Sequence, residues 1–181
     1  MADHPRSHDF QDLDDTIGLS HHELHLGQAY LALGDSAAAR DHFDRSTSLR
    51  KAWSDALPDQ PQGRSFLVEA YLWRGTAETL LGDAKAANAS FDEAMRIQQE
   101  LVDKNPNAFW YKGDLADAYG RKGDAALRLG TAADAEQSYR KSLEYLRPAL
   151  ESAPEETDYQ LLTAATDERL AAVAARKGKS E

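Results

Sequence analysis

Apolar and small residues run along the chain in a helical rhythm. Ala39 is followed by Phe43, Ser46, Leu49 and Trp53, and Ala87 by Phe91, Ala94, Ile97 and Leu101. Steps of four, three, three and four put each set on one helix face. A second set, Leu19, Ala29 and Leu33, recurs as Leu67, Ala77, Leu81 and as Leu115, Ala125, Leu129. Gly34-Asp35, Gly82-Asp83 and Gly130-Thr131 divide the two kinds of helix. Glycine reaches the left-handed conformation that ends a helix, and Asp or Thr can cap the next one. Pro58, Pro106 and Pro154 stop the incoming helix between copies. No strand pattern competes. The pattern predicts helices over about 12–33, 36–56, 63–81, 84–104, 107–129, 132–152 and 155–177, most of them roughly 30 Å long.

These positions share one interval of 48 residues with no insertion: Gly27 maps onto Gly75 and Gly123, Phe43 onto Phe91 and Tyr139, and Pro58 onto Pro106 and Pro154. An array of helix pairs follows, in repeats of about 12–58, 59–106 and 107–154. The segment 155–177 continues the register as a lone first helix, because Ala171 lies 48 residues beyond Gly123. Its expected task is to cover the face left open by the third pair, and Arg176, Lys177 and Lys179 close it at the negative end of the helix dipole. The expected layout is an acidic tail over 1–11, one helical domain over 12–177 and a short tail over 178–181.

Charge and composition narrow the possible chemistry. The 181 residues carry 21 Lys+Arg against 31 Asp+Glu, a net charge of −10, and no cysteine. Duplex nucleic acid needs a basic stripe to displace counterions, so it is a poor partner. Disulfides and cysteine nucleophiles are absent by composition. No apolar run approaches the ~20 residues needed to cross a bilayer, and MADHPRSHDF lacks the build of a secretory leader, so the expected compartment is the cytoplasm. Asp3, Asp9, Asp12, Asp14 and Asp15 suit a solvated start leading into a helix N-terminus. His21 and His25 have a metal-ligand spacing, but HHELH is not HExxH and no third ligand is placed by spacing. His22 shares a register with the core positions Ala70 and Ala118, so burial is expected for it. Asp35, Asp59, Asp83 and Asp114 are expected to be caps, and no carboxylate pair is set apart in an apolar environment that would raise a pKa. With no GxSxG, GxGxxG or Walker loop, the expectation is a protein without catalysis, cofactor or metal.

LGD or LGT at the turn, followed by Ala, Phe or Tyr, and Ala or Ser at five, nine and twelve residues after the turn glycine, resembles the tetratricopeptide repeat over about 16–177. The usual period is ~34. The interval of 48, with N-P and Trp ahead of the copy KNPNAFWYKGDLADAYGRKGD, resembles an elongated bacterial variant found alone or attached to signalling proteins such as serine/threonine kinases. The resemblance implies an all-α, right-handed solenoid of three antiparallel helix pairs plus a C-terminal capping helix, serving as a protein-interaction scaffold with no catalytic residue. It also implies that the first helices line a concave groove. Mapped here, the candidates are His21, Leu24, Gln28 and Leu31; Glu69, Leu72, Trp73, Thr76 and Thr79; and Asp117, Arg121, Asp124 and Leu127. The Lys/Asn/Arg clamp by which some relatives hold a chaperone's C-terminal carboxylate is missing, since Leu24, Glu69 and Asp117 stand in such places.

An acidic and apolar groove of this kind suits a protein or peptide with Lys/Arg and an apolar anchor. Trp73 is then either the platform for that anchor or simply packing between copies. Two other uses remain open. The chain can be the regulatory or targeting region of a larger signalling enzyme, or it can self-assemble through the first helix around Leu13, Ile17 and Leu24.

Overall fold

The computed structural model describes the backbone of residues 7–177 and side chains from 15 to 175. The side chains of Asp3, Asp9, Asp12, Leu13, Asp14, Arg176, Lys177 and Lys179 lie outside the described residues. Seven helices follow one another: α1 (Ser7–Ala32), α2 (Ser36–Ala56), α3 (Pro61–Leu80), α4 (Ala84–Lys104), α5 (Phe109–Arg128), α6 (Ala132–Ser152) and α7 (Thr157–Lys177). Consecutive helices pack against each other as an all-α solenoid, with no strand among the described residues. α1 begins at Ser7, inside the segment expected to be a tail.

Each pair turns on a glycine in the left-handed region. Gly34, Gly82 and Gly130 have φ of 83°, 79° and 89°. In the first turn the Gly34 amide donates to Leu31 O at 3.0 Å and the Asp35 amide to Tyr30 O at 2.9 Å, which satisfies carbonyls that the end of α1 would otherwise leave open. Asp35 and Asp83 then cap the following helices, accepting from the Ala38 and Ala86 amides at 3.0 Å. The other expected caps differ. The Thr131 hydroxyl turns back to donate to Ala126 O at 2.9 Å. α3 starts after Gln60 rather than Asp59, because Pro61 at its first position has a preset φ and no N–H to satisfy. Asp114 lies inside α5.

Within each pair an aromatic ring from the second helix lies on a glycine of the first. A Cβ built on Gly27 would come 2.5 Å from Phe43 Cε1, one on Gly75 would come 3.0 Å from Phe91 Cε2, and one on Gly123 would come 2.5 Å from Tyr139 Cε1. These three rings are almost completely buried, and each Phe contributes about 1.5–3 kcal/mol of burial. The Ser46 hydroxyl donates to Ser20 O and the Ser142 hydroxyl to Ala116 O, both at 2.8 Å, so serine in the aromatic stripe ties its helix to the partner's backbone. α7 completes the far end. Val173 and Leu170 pack with Ala135 and Tyr139, while Tyr159 and Leu162 pack with Leu143 and Leu146.

The first pair departs from the register of the others. His22, aligned with Ala70 and Ala118, is exposed rather than buried. Leu19 is 50% exposed, whereas Leu67 and Leu115 are 6% and 0% exposed. Ala70 and Ala118 face the pair before them, and among the described residues no pair precedes α1. Leu24, expected on an open face, is instead in the core with Ala39, Phe43, Ala70 and Ala77, because α3 covers it.

Candidate functional site

α1, α3, α5 and α7 share one side of the array, and two adjoining hollows lie along it. The first, of ≈360 Å³, collects Gln28 from α1, Glu69, Leu72 and Trp73 from α3, and Asp114, Asp117 and Arg121 from α5. The second, of ≈410 Å³, collects Thr76 and Thr79 from α3, Asp117, Arg121, Asp124 and Arg128 from α5, and Leu162 and Arg169 from α7. Asp117 and Arg121 belong to both. Eight of the ten principal candidates therefore come together: Gln28, Glu69, Leu72, Trp73, Thr76, Asp117, Arg121 and Asp124. Leu24 lies in the core, and His21 lines neither hollow. Leu31 and Leu127 pack against the core instead.

Trp73 combines the two roles left open for it. Its ring stacks on Phe43 of the preceding pair, with centroids 6.0 Å apart and planes at 21°. Arg121 covers the ring with its guanidinium carbon 5.2 Å from the centroid, and Arg121 Nε donates to Asp117 at 2.7 Å. The ring thus fills space between pairs while contributing to the wall of the first hollow.

Arginines that the groove pattern did not include change its charge. Arg50 has a fully buried side chain that reaches from α2. Its Nη1 donates to Phe66 O at 2.6 Å and to Glu69 Oε2 at 2.8 Å. Its Nη2 lies 3.2 Å from His21 Nδ1, which must then be the acceptor nitrogen. Burial, followed by the Arg50 charge, lowers the His21 pKa and keeps the ring neutral. Arg50 Nε is buried without a partner. Arg50 is seven residues after Phe43, on the buried stripe of α2, and that position is the signal by which sequence could have flagged it. At the other end Arg169 Nε lies 3.1 Å from Asp124 Oδ1, which also accepts from the Tyr139 hydroxyl at 2.8 Å. The groove is a mosaic of paired charges rather than an acidic strip.

Asp114 corrects the expectation that no carboxylate is perturbed. It is exposed as a residue. Desolvation of its carboxyl, followed by the like charge of Asp117, nonetheless pushes its pKa up to about 6, and the bond from Gln98 Nε2 that opposes the shift is long, at 3.4 Å. His21 and His25 turn to separate partners, His25 Nδ1 lying 3.1 Å from Gln28 Oε1. Among the described residues no cluster of three His, Cys, Asp or Glu side chains is placed to hold a metal, and no helix is long and apolar enough to cross a membrane.

A family model described as tetratricopeptide repeat matches residues 24–52 and 116–154. The first match runs from within α1 into α2, the second from α5 through α6. The pair α3–α4 between them keeps the same interval and the same turn and ring contacts. The search of curated proteins gave no match. Two family matches on a run of seven consecutively packed helices are consistent with a tetratricopeptide repeat protein.

Proposed function

We propose that this protein is a non-enzymatic scaffold that holds a partner peptide in the groove of α1, α3, α5 and α7. Tetratricopeptide repeats mediate protein–protein interaction. The partner segment we assign is basic, with an apolar anchor beside Trp73. The observation that carries this is Arg121, a cation already lying over the Trp73 ring and paired with Asp117. A guanidinium held by an aromatic face and a carboxylate marks a place where an incoming Arg or Lys finds the same partners, with Glu69 and Asp114 close by. The test is capture of partners from the source lysate with the wild type and with a variant changed together at Glu69, Trp73 and Asp117. A protein lost only from the variant supports the groove. Equal capture by both rejects it.

Self-association through α1 is the alternative use of the chain that one observation favours. Leu19, His22 and Ala29 are exposed where Leu67, Ala70 and Ala77 are buried, Ala70 and Ala77 against the preceding pair. Sedimentation of wild type and Leu19→Lys tests it: a dimer lost in the variant supports pairing on this face, and a wild-type monomer at high concentration rejects it.

A further inference from the structure

On the side of α5 away from the groove, a hollow of ≈490 Å³ opens between α4, α5 and α6. One interval upstream the equivalent place, between α2, α3 and α4, holds a polar network. Glu78 is 5% exposed and accepts the Ser90 hydroxyl at 2.6 Å. Arg74 Nε donates to Ser90 Oγ at 2.9 Å and lies 3.3 Å from Glu78 Oε1, while its Nη1 is 3.6 Å from Asp44. Its guanidinium carbon stands 5.3 Å from the Tyr71 ring centroid.

Forty-eight residues on, most of that set is kept and lines the hollow: Tyr71 becomes Tyr119, Arg74 becomes Lys122, Ser90 becomes Ser138 and Asp44 becomes Asp92. Glu78 becomes Ala126 and Arg40 becomes Asn88. The carboxylate arm has been removed and its partners remain. Ser138 is only 7% exposed, yet its hydroxyl has no hydrogen-bond partner among the described residues. The Ser138 oxygen is not among the buried unpaired atoms of the described residues, so it opens onto the hollow that it lines. Lys122 keeps the Asp92 carboxylate, as Arg74 keeps Asp44, and lacks the second acid. Lys141, paired with Glu144 at 2.6 Å, adds a cation to the lining, and Asp134 has no basic partner among the described residues. The Thr131 hydroxyl is turned to Ala126 O, so the first amides of α6 beside the hollow have no side-chain acceptor.

We propose that this hollow binds a small organic carboxylate, which occupies the place of the missing Glu78-type side chain. Its carboxylate accepts from the Ser138 hydroxyl and pairs with Lys122, and its carbon body lies against Tyr119 and Leu129. Two sources carry that chemistry, a free acid and the Glu side chain of a docked partner.

The test is titration of propionate into the full chain, followed through the amide resonances of Lys122, Ala126 and Ser138. Saturable shifts confined to that region are expected. In Ala126→Glu, which restores the carboxylate arm, the shifts vanish and the melting temperature rises. In Ser138→Ala the affinity falls about two- to ten-fold, the range of one hydrogen bond, and this variant decides the matter if Ala126→Glu does not fold. A blocked glutamate, acetylated and amidated, identifies the source: tighter binding than propionate points to a partner's side chain, weaker binding to a free acid. Absent or unsaturable shifts, equal shifts in the wild type and both variants, or the same shifts from ethylammonium overturn the proposal.

Discussion

Arg121 lies over Trp73, its guanidinium carbon 5.2 Å from the ring centroid, while its Nε is tied to Asp117 at 2.7 Å. The two residues come from different helix pairs, so the contact bridges α3 and α5 across the floor of the groove. It also means that the aromatic face beside the carboxylates is occupied when no ligand is bound.

Arg121→Ala uncovers that face. The cost in stability is small, below about 1 kcal/mol, because both parts of the contact are partly solvated. Trp73 emission, read in a background of Trp53→Phe and Trp110→Phe, shifts to the red, and added guanidinium or arginine quenches it more strongly in the variant. Unchanged emission would place the Arg121 side chain elsewhere in solution.

The glycine contacts separate two kinds of glycine in α1. Gly27→Ala drives a methyl to within 2.5 Å of the Phe43 ring and is expected to cost about 1–3 kcal/mol. Gly18→Ala meets nothing within 4 Å on the same helix and is expected to gain up to about 1 kcal/mol. Urea unfolding of the two variants gives both signs in one experiment.

Asp114 makes stability and binding depend on pH in opposite senses. Its carboxyl titrates at about 6 in the folded chain, against the ordinary 3.8. A raised acid pKa adds stability that is full below the unfolded value and is lost as pH rises through the folded one. The advantage of wild type over Asp114→Asn is therefore greater at pH 4 than at pH 7. The ionised form attracts a cationic peptide, so wild-type affinity weakens as pH falls through about 6, and Asp114→Asn removes that step. A titration of Asp114 by NMR near the ordinary carboxylate value would contradict both expectations.

Arg50 joins His21, Phe66 and Glu69. Arg50→Ala takes the guanidinium from Phe66 O and Glu69 and leaves a cavity, and is expected to cost about 3 kcal/mol or more. Arg50→Gln, the residue its register places at Gln98, costs less. In either variant the His21 pKa moves up, since a nearby cation is gone. An unmoved His21 titration would separate the two side chains.

How much of this was legible in the sequence follows from how local each cause is. The turns at Gly34, Gly82 and Gly130 and the stripes of α2 and α4 depend on residues within a few positions of each other, so periodicity finds them. Burial on α1 depends on a neighbour that the first pair lacks. Register therefore placed His22 in the core, where the structure leaves it exposed. Leu24 failed in the opposite direction, because the covering helix α3 lies some fifty residues further along. The carboxylates Glu69, Asp117 and Asp124 could be read from the first helices alone. Their cations Arg50 and Arg169 come from α2 and α7, which a groove built only from repeat positions in the first three odd-numbered helices leaves out. Asp114 had the look of a cap because it stands near a helix start, but α5 begins at Phe109 and carries it inward.

The ring-on-glycine contacts at Gly27, Gly75 and Gly123 and the serine-to-carbonyl bonds lie within pairs, whereas Trp53 lies on Gly63 across the seam between α2 and α3, and no such ring contact closes the seam between α4 and α5 among the described residues. Under a pull along the array, the more thinly packed seam between α4 and α5 is expected to open before the seam between α2 and α3. The groove crosses that seam, so its width changes there before any single pair is lost.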